Sequence, residues 1–176
     1  HALASTIRES PEAAALAARE LAACRTGARW LASRYRVDDA VALWERAAAS
    51  SAASPRDRIG AWIGAADACE KAGRPMPGER FGTMAVEEAE RLGLPIPELA
   101  DAFRVSGVCA WVTGRLPVAE ARYRRAHAAA MAAGDRHGAA KAQGSLAILA
   151  HDLGRIDEAR GLYDAVIAES IALGDR

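Results

Sequence analysis

The chain has 176 residues and carries 23 Lys plus Arg against 23 Asp plus Glu. This length suits one domain of moderate size with a core that needs no disulfide or metal, and the zero formal charge excludes a general attraction to nucleic acid or to an anionic membrane. Aromatics are only 5% while alanine is abundant, a balance that favours helices packed closely on helices.

Taken in chain order, the apolar periodicity and the breakers predict eight helices, over residues 12–33, 37–50, 56–72, 77–92, 97–113, 117–133, 137–153 and 157–173. Residues 1–10 read as the tail of a preceding helix. Ser51–Pro55 and Leu94–Pro97 are the breakers between hairpins. Leu99 to Trp111 and Leu146 to Leu153 have apolar residues at helical spacing. After Gly73 come Pro75, Pro77 and Gly78, so a longer or distorted turn is expected there. Gly82 stands where its repeat should carry a large aromatic, and Phe81 fills that gap from one position off.

The helices pair into repeats. Gly114–Arg136 overlies Gly154–Arg176 at an offset of 40, with nine of 23 positions identical, among them Gly114/Gly154, Arg115/Arg155, Ala119/Ala159, Tyr123/Tyr163 and Asp135/Asp175. Each identity has a physical use. The glycines turn the chain, because Gly takes the left-handed conformation at little cost. Ala119 and Ala159 let two helices approach. Tyr123 and Tyr163, four residues later on the same face, fill the gap between neighbouring hairpins. Gly134-Asp135 closes one helix and offers Asp as the N-cap of the next. Tyr35, Gly73, Gly114 and Gly154 mark successive turns at spacings of 38, 41 and 40, and Ala40 and Trp44 take the small and aromatic positions of the first copy. Four repeats follow, over residues 12–50, 56–92, 97–133 and 137–173, forming one domain. The chain opens at His1 and ends at Gly174-Asp175-Arg176, and both ends are expected to be cut from a longer protein.

The recurring turn Gly, small Ala and aromatic, with Ser106-Gly107 and Leu146-Ala147 at the Leu-Gly place and Trp62 at the bulky place, resemble the tetratricopeptide repeat over about residues 20–176. The Tyr of that pattern is replaced here by Leu31, Cys69, Ala110 and Ala150. The resemblance implies an all-α fold: an α-solenoid of about four antiparallel helix-turn-helix units in a right-handed superhelix. The period exceeds the common 34, so each helix gains up to about a turn. Long repeats with Gly-Asp-Arg joints look like those of large bacterial signalling proteins, where they follow an ATPase module, as in signal-transduction ATPases of the LuxR or antibiotic-regulatory type. That likeness implies a cytoplasmic scaffold or sensor that binds a protein or peptide, or a neighbouring domain of its own chain. The alternative is a structural segment that docks on its own ATPase or effector domain, or forms a homo-oligomer.

In such arrays the first helix of each hairpin lines the concave face. Counting back from each turn at helical spacing gives one stripe per repeat: Ala22, Arg25, Arg29 and Ala32; Gly60, Ile63, Asp67 and Glu70, with Lys71 beside them; Asp101, Arg104, Val108 and Trp111; and Lys141, Gly144, Ile148 and His151. Arg104, Trp111, Val108, Asp101, Lys141, Ile148, His151, Asp67 and Glu70 form the candidate binding surface, because Arg and Trp are enriched at hot spots. The competing account has Trp111 packing on a neighbouring helix, Arg104 pairing with Asp101, and Asp67, Glu70 and Lys71 forming a solvated face. The Asn of the chaperone-receptor clamp is replaced by Arg29, Asp67, Val108 and Ile148, so a chaperone C-terminus is not the expected ligand.

Catalytic chemistry finds little footing. The sequence has no GxxxxGK[ST], GxGxxG or GxSxG, and no His pair at metal-ligand spacing. No cofactor, metal or enzymatic activity is expected. Cys24, Cys69 and Cys109 have no CxxC spacing and read as buried thiols in a reducing compartment. Cys109 and His151, on first helices of adjacent repeats, are the one pair worth testing as a nucleophile and base. Arg115, Arg122, Arg124 and Arg125 make either a small convex positive patch or a solvated face. No apolar run reaches the roughly 20 residues of a membrane span, no signal peptide opens the chain, and neither membrane nor direct nucleic-acid partners are expected.

Overall fold

The computed structural model describes residues 10–93 and 97–174, and these contain eight α-helices. They are α1 (Pro11–Ser33), α2 (Val37–Ala49), α3 (Pro55–Lys71), α4 (Pro75–Leu92), α5 (Pro97–Val112), α6 (Leu116–Ala132), α7 (Arg136–Asp152) and α8 (Ile156–Leu173). Every expected helix is present. The expected helical tail at the N-terminus, most of the Leu94–Pro97 breaker and the Asp175 and Arg176 joint lie outside the described residues.

Local chemistry explains the boundaries. Ser10 caps α1 by accepting from the Ala13 amide at 3.1 Å. Ser54 and Asp57 form a reciprocal capping box at α3, satisfying amides that have no partner inside the helix. Asp135 caps α7 by accepting from the Gly138 amide at 2.9 Å. Within each hairpin the turn residue is left-handed: Gly73, Gly114 and Gly154 at φ 68°, 75° and 73°, and Tyr35 at φ 59°. Tyr35 is the exception, a β-carbon held where the other repeats use glycine, and that conformation costs a non-Gly residue about 1 kcal/mol.

The distorted turn expected around Pro75–Gly82 does not form. Gly73 makes an ordinary turn and α4 starts at Pro75. Pro75 and Pro77 sit in the first helical turn, where no amide needs an intrahelical partner, so both are accommodated. Phe81 does supply the aromatic; it is buried and stacks on Trp62 with ring centroids 5.9 Å apart. Gly82 has a different use. A β-carbon there would lie 3.0 Å from Ser106 Cβ, so its absence lets α4 and α5 close up.

Ala40, Ala119 and Ala159 are buried, as are Trp44 and Tyr123. Both large rings press on glycine: a β-carbon at Gly64 would lie 2.5 Å from Trp44, and one at Gly107 would lie 2.6 Å from Tyr123. Tyr163 departs from the expectation. It is 39% exposed, because no described element packs on the outer side of α8.

Candidate ligand-binding groove

Each helix packs on its chain neighbours, and in addition α1 touches α3, α3 touches α5, and α5 touches α7. The second helices α2, α4, α6 and α8 stand farther apart and reach one another through long side chains, as in Arg80–Glu45, Arg122–Glu79 and Arg125–Glu90. Closer spacing of the first helices curves the stack inward on their side, which makes that side the concave face.

A groove of about 740 Å³ opens on this face. All four first helices contribute: Arg29, Ala32 and Ser33 from α1, Gly60, Ile63, Gly64, Asp67 and Lys71 from α3, Asp101, Arg104 and Val105 from α5, and Lys141 from α7, with Tyr35 and Trp44 at one end. Its floor is open at Gly60, where an added β-carbon would meet nothing within 4 Å. Glycine inside a helix costs about 0.5–1 kcal/mol relative to alanine, so packing gives no reason for this residue, whereas an open groove does.

Four of the nine expected site residues, Asp67, Asp101, Arg104 and Lys141, line this one groove. The other five lie outside it. Trp111 is half-buried and its Nε1 donates to Asp152 Oδ2 at 2.7 Å, so it joins α5 to the end of α7. Val108 packs in the same cluster as Trp111. Ile148 is exposed, and His151, also exposed, has Nδ1 3.7 Å from Asp152 Oδ1. Glu70 is half-buried near Cys109 and Tyr123, where its charge disfavours their ionised forms. Trp44, Gly64, Val105, Ser33 and Tyr35 are groove residues that counting stripes on first helices misses. Tyr35 had a sequence signal, being the one turn position that is not Gly.

The electrostatics of the groove are uneven. Lys71 Nζ lies 2.7 Å from Asp67, and Arg104 Nε lies 3.4 Å from Asp101, so the expected pairings exist and neutralise the centre. Arg29 and Lys141 have no carboxylate partner among the described residues. Arg29 instead lies over the Trp44 ring at 5.9 Å. Arg25, on the same stripe as Arg29, is tied to Asp57.

The remaining candidates resolve as packing. Cys24, Cys69 and Cys109 are free and buried. Burial, with Glu70 and Glu79 nearby, pushes the Cys109 thiol up to about 12, so it is held protonated while His151 stands in solvent. Each convex arginine has a carboxylate partner: Arg115 and Arg122 share Glu79, Arg124 pairs with Glu120, and Arg125 with Glu90. Among the described residues no cluster of His, Cys, Asp or Glu could hold a metal ion, and no helix is long and apolar enough to cross a membrane.

No family model and no curated protein matches this chain. Solved structures do. A Rap protein complexed with Competence and Sporulation Factor superimposes with a TM-score of 0.75 at 19% identity, over 86% of this chain and 43% of the other. This chain therefore spans less than half the length of that neighbour. The TPR-like repeats of a putative kinesin light chain from Podosopora anserina superimpose with a TM-score of 0.53 at 16% identity, over 87% of this chain and 96% of the other. A point variant of the same repeats superimposes with the same TM-score and identity. The fold is that of a tetratricopeptide-like α-solenoid.

Proposed function

We propose that the chain is a protein-interaction module that captures an extended segment of a protein or peptide in the concave groove formed by its four first helices. The groove itself carries this reading: one continuous cleft, lined from all four repeats, with an open glycine floor and apolar walls at Ile63, Val105 and Trp44. Solenoids use such inward faces for extended ligands. The Rap protein of the same fold is complexed with a factor, which supports the capture of a partner. A cytoplasmic bacterial regulator, in which the module senses a partner or a neighbouring domain, is the setting this reading favours.

The test is occlusion. Gly60→Trp adds a large ring on the groove floor, at a position where a β-carbon meets nothing within 4 Å. Panning a random peptide library against the wild-type chain, with the variant as comparison, should yield peptides that bind the first and not the second while both melt cooperatively. Peptides that bind the two equally would remove the groove from the account.

A second reading has its own observation. Tyr163, Ile167 and Ile171 are exposed at four-residue intervals on α8, with Ile156 also exposed, and so form one apolar stripe. Such a stripe serves a docking or self-associating array. Sedimentation across a concentration series should show association that is lost in Ile167→Glu plus Ile171→Lys; a strictly monomeric wild type would end this reading.

A further inference from the structure

Resting on the groove reading above, we infer that the occupant is an acidic peptide segment with two side-chain carboxylates separated by a short apolar stretch, one received by Arg29 and the other by Lys141. The chain as a whole is neutral, and most of its described cations are paired with a carboxylate; Arg19, Arg29, Arg34, Arg56 and Lys141 are not. Two of these five line the groove. The groove holds Arg29, Lys71, Arg104 and Lys141 against Asp67 and Asp101, an excess of two positive charges in a chain whose formal net charge is zero.

Position sharpens the chemistry. Arg29 stands on α1 and Lys141 on α7, the outermost of the four first helices, whereas the internally paired Asp67–Lys71 and Asp101–Arg104 lie between them on α3 and α5. The ligand thus meets an unsatisfied cation near each end and a neutral, partly apolar middle. Three helix-to-helix steps of about 8–10 Å separate the axes of α1 and α7. Two long side chains reaching inward shorten the gap between their charges to about 15 Å, or four to five residues of extended chain.

The aromatic end adds a second observation. Arg29 is laid over the Trp44 ring, and that ring is fixed against Gly64, so the guanidinium has a platform that limits its freedom before any ligand arrives. Tyr35, 77% exposed, is held in a left-handed conformation at the same end. Backbone strain of this kind concentrates where a side chain has a task beyond folding. A polyanion such as nucleic acid fits poorly, because Asp67 and Asp101 line the same surface.

The experiment uses peptides recovered in the occlusion selection, resynthesised with acetylated and amidated ends so that only side chains carry charge. Groove-dependent peptides are expected to carry Asp or Glu at two positions about four to five residues apart. Changing both to the amide, or changing the protein to Arg29→Gln plus Lys141→Gln, should each weaken binding about tenfold, and combining the changes should cause no further loss. Both substitutions lie on exposed side chains, so melting should be unaltered. Groove-dependent peptides without acidic residues, or with affinity indifferent to both cations, would overturn the inference and leave the groove standing. Recovery of no peptide that distinguishes wild type from Gly60→Trp would overturn the groove itself. Tighter binding of a labelled single-stranded oligonucleotide than of the acidic peptide would replace the ligand class.

Discussion

Arg155 Nη1 lies 3.0 Å from Glu120 Oε1, so the residue after the turn glycine of the fourth hairpin reaches back to the second helix of the third. The same link recurs between Arg115 and Glu79 and between Arg74 and Asp38. Each Gly-Arg turn therefore ties its repeat to the one before. This gives the repeated arginine a physical role that its identity at an offset of 40 left unexplained.

Glu79, like Glu120, serves two arginines. It accepts from Arg115 and from Arg122, the latter at 3.2 Å, and Arg122 also donates to the Ser106 carbonyl at 2.9 Å. Removing the carboxylate leaves Arg115 and Arg122 without their acidic partner at the joint between the second and third repeats, with only Thr113 and the Ser106 carbonyl to accept from them. Glu79→Ala is expected to cost about 1–2 kcal/mol after allowance for their partial hydration, read as a lower midpoint in urea with little change in slope.

Acid should weaken the array through the same residues. A hydrogen bond from Arg115, working against desolvation, holds Glu79 below the ordinary carboxylate value of 4.5, and one from Arg155 does so for Glu120. A carboxylate whose folded value is depressed contributes stability that is complete above its unfolded value and fades as pH falls through the folded one. Thermal midpoints should thus be flat from neutrality to about pH 5.5 and drop below about pH 4.5. In Glu79→Gln plus Glu120→Gln the neutral midpoint should be lower and the acid limb shallower; an unchanged limb would show that other groups govern it.

The fold was legible because its signals are local and repeated. Ser54 with Asp57, Asp135, and the left-handed Gly73, Gly114 and Gly154 fix helix ends within a residue or two of where the sequence puts them. Pro75 and Pro77 misled, since prolines mark a break in sequence but are equally at home in a first helical turn. The groove was half legible. Facing positions on first helices identify Asp67, Asp101, Arg104 and Lys141, yet the same count includes Trp111, whose indole is drawn to Asp152, and omits Trp44, which reaches the groove from a second helix. Helical spacing gives direction around one axis; which cavity a side chain reaches depends on the neighbouring repeat.

Glycines of this chain should respond to alanine with opposite signs. At Gly107 the new methyl would meet the Tyr123 ring at 2.6 Å, and the ring is buried with little room to withdraw. Gly107→Ala should destabilise by about 1–3 kcal/mol through overpacking. At Gly60 nothing lies within 4 Å, so Gly60→Ala should stabilise by about 0.5–1 kcal/mol from helix propensity alone. Parallel urea curves would check both; a stabilised Gly107→Ala would mean that the repeats can separate more easily than the packing suggests.

Tyr35 offers a separation of stability from binding. Its φ of 59° matches the turn glycines of the other three repeats, and its ring is largely exposed at the Trp44 end of the groove. Tyr35→Gly removes the strain of a β-carbon in that conformation and should raise stability by up to about 1 kcal/mol, less the entropy glycine adds to the unfolded chain. The same change removes an aromatic wall from the ligand's path, so affinity for a groove-dependent peptide should fall as the melting temperature rises. Loss of stability on substitution would show that Tyr35 is held by contacts that matter to the fold, and retained affinity would remove it from the groove's binding surface.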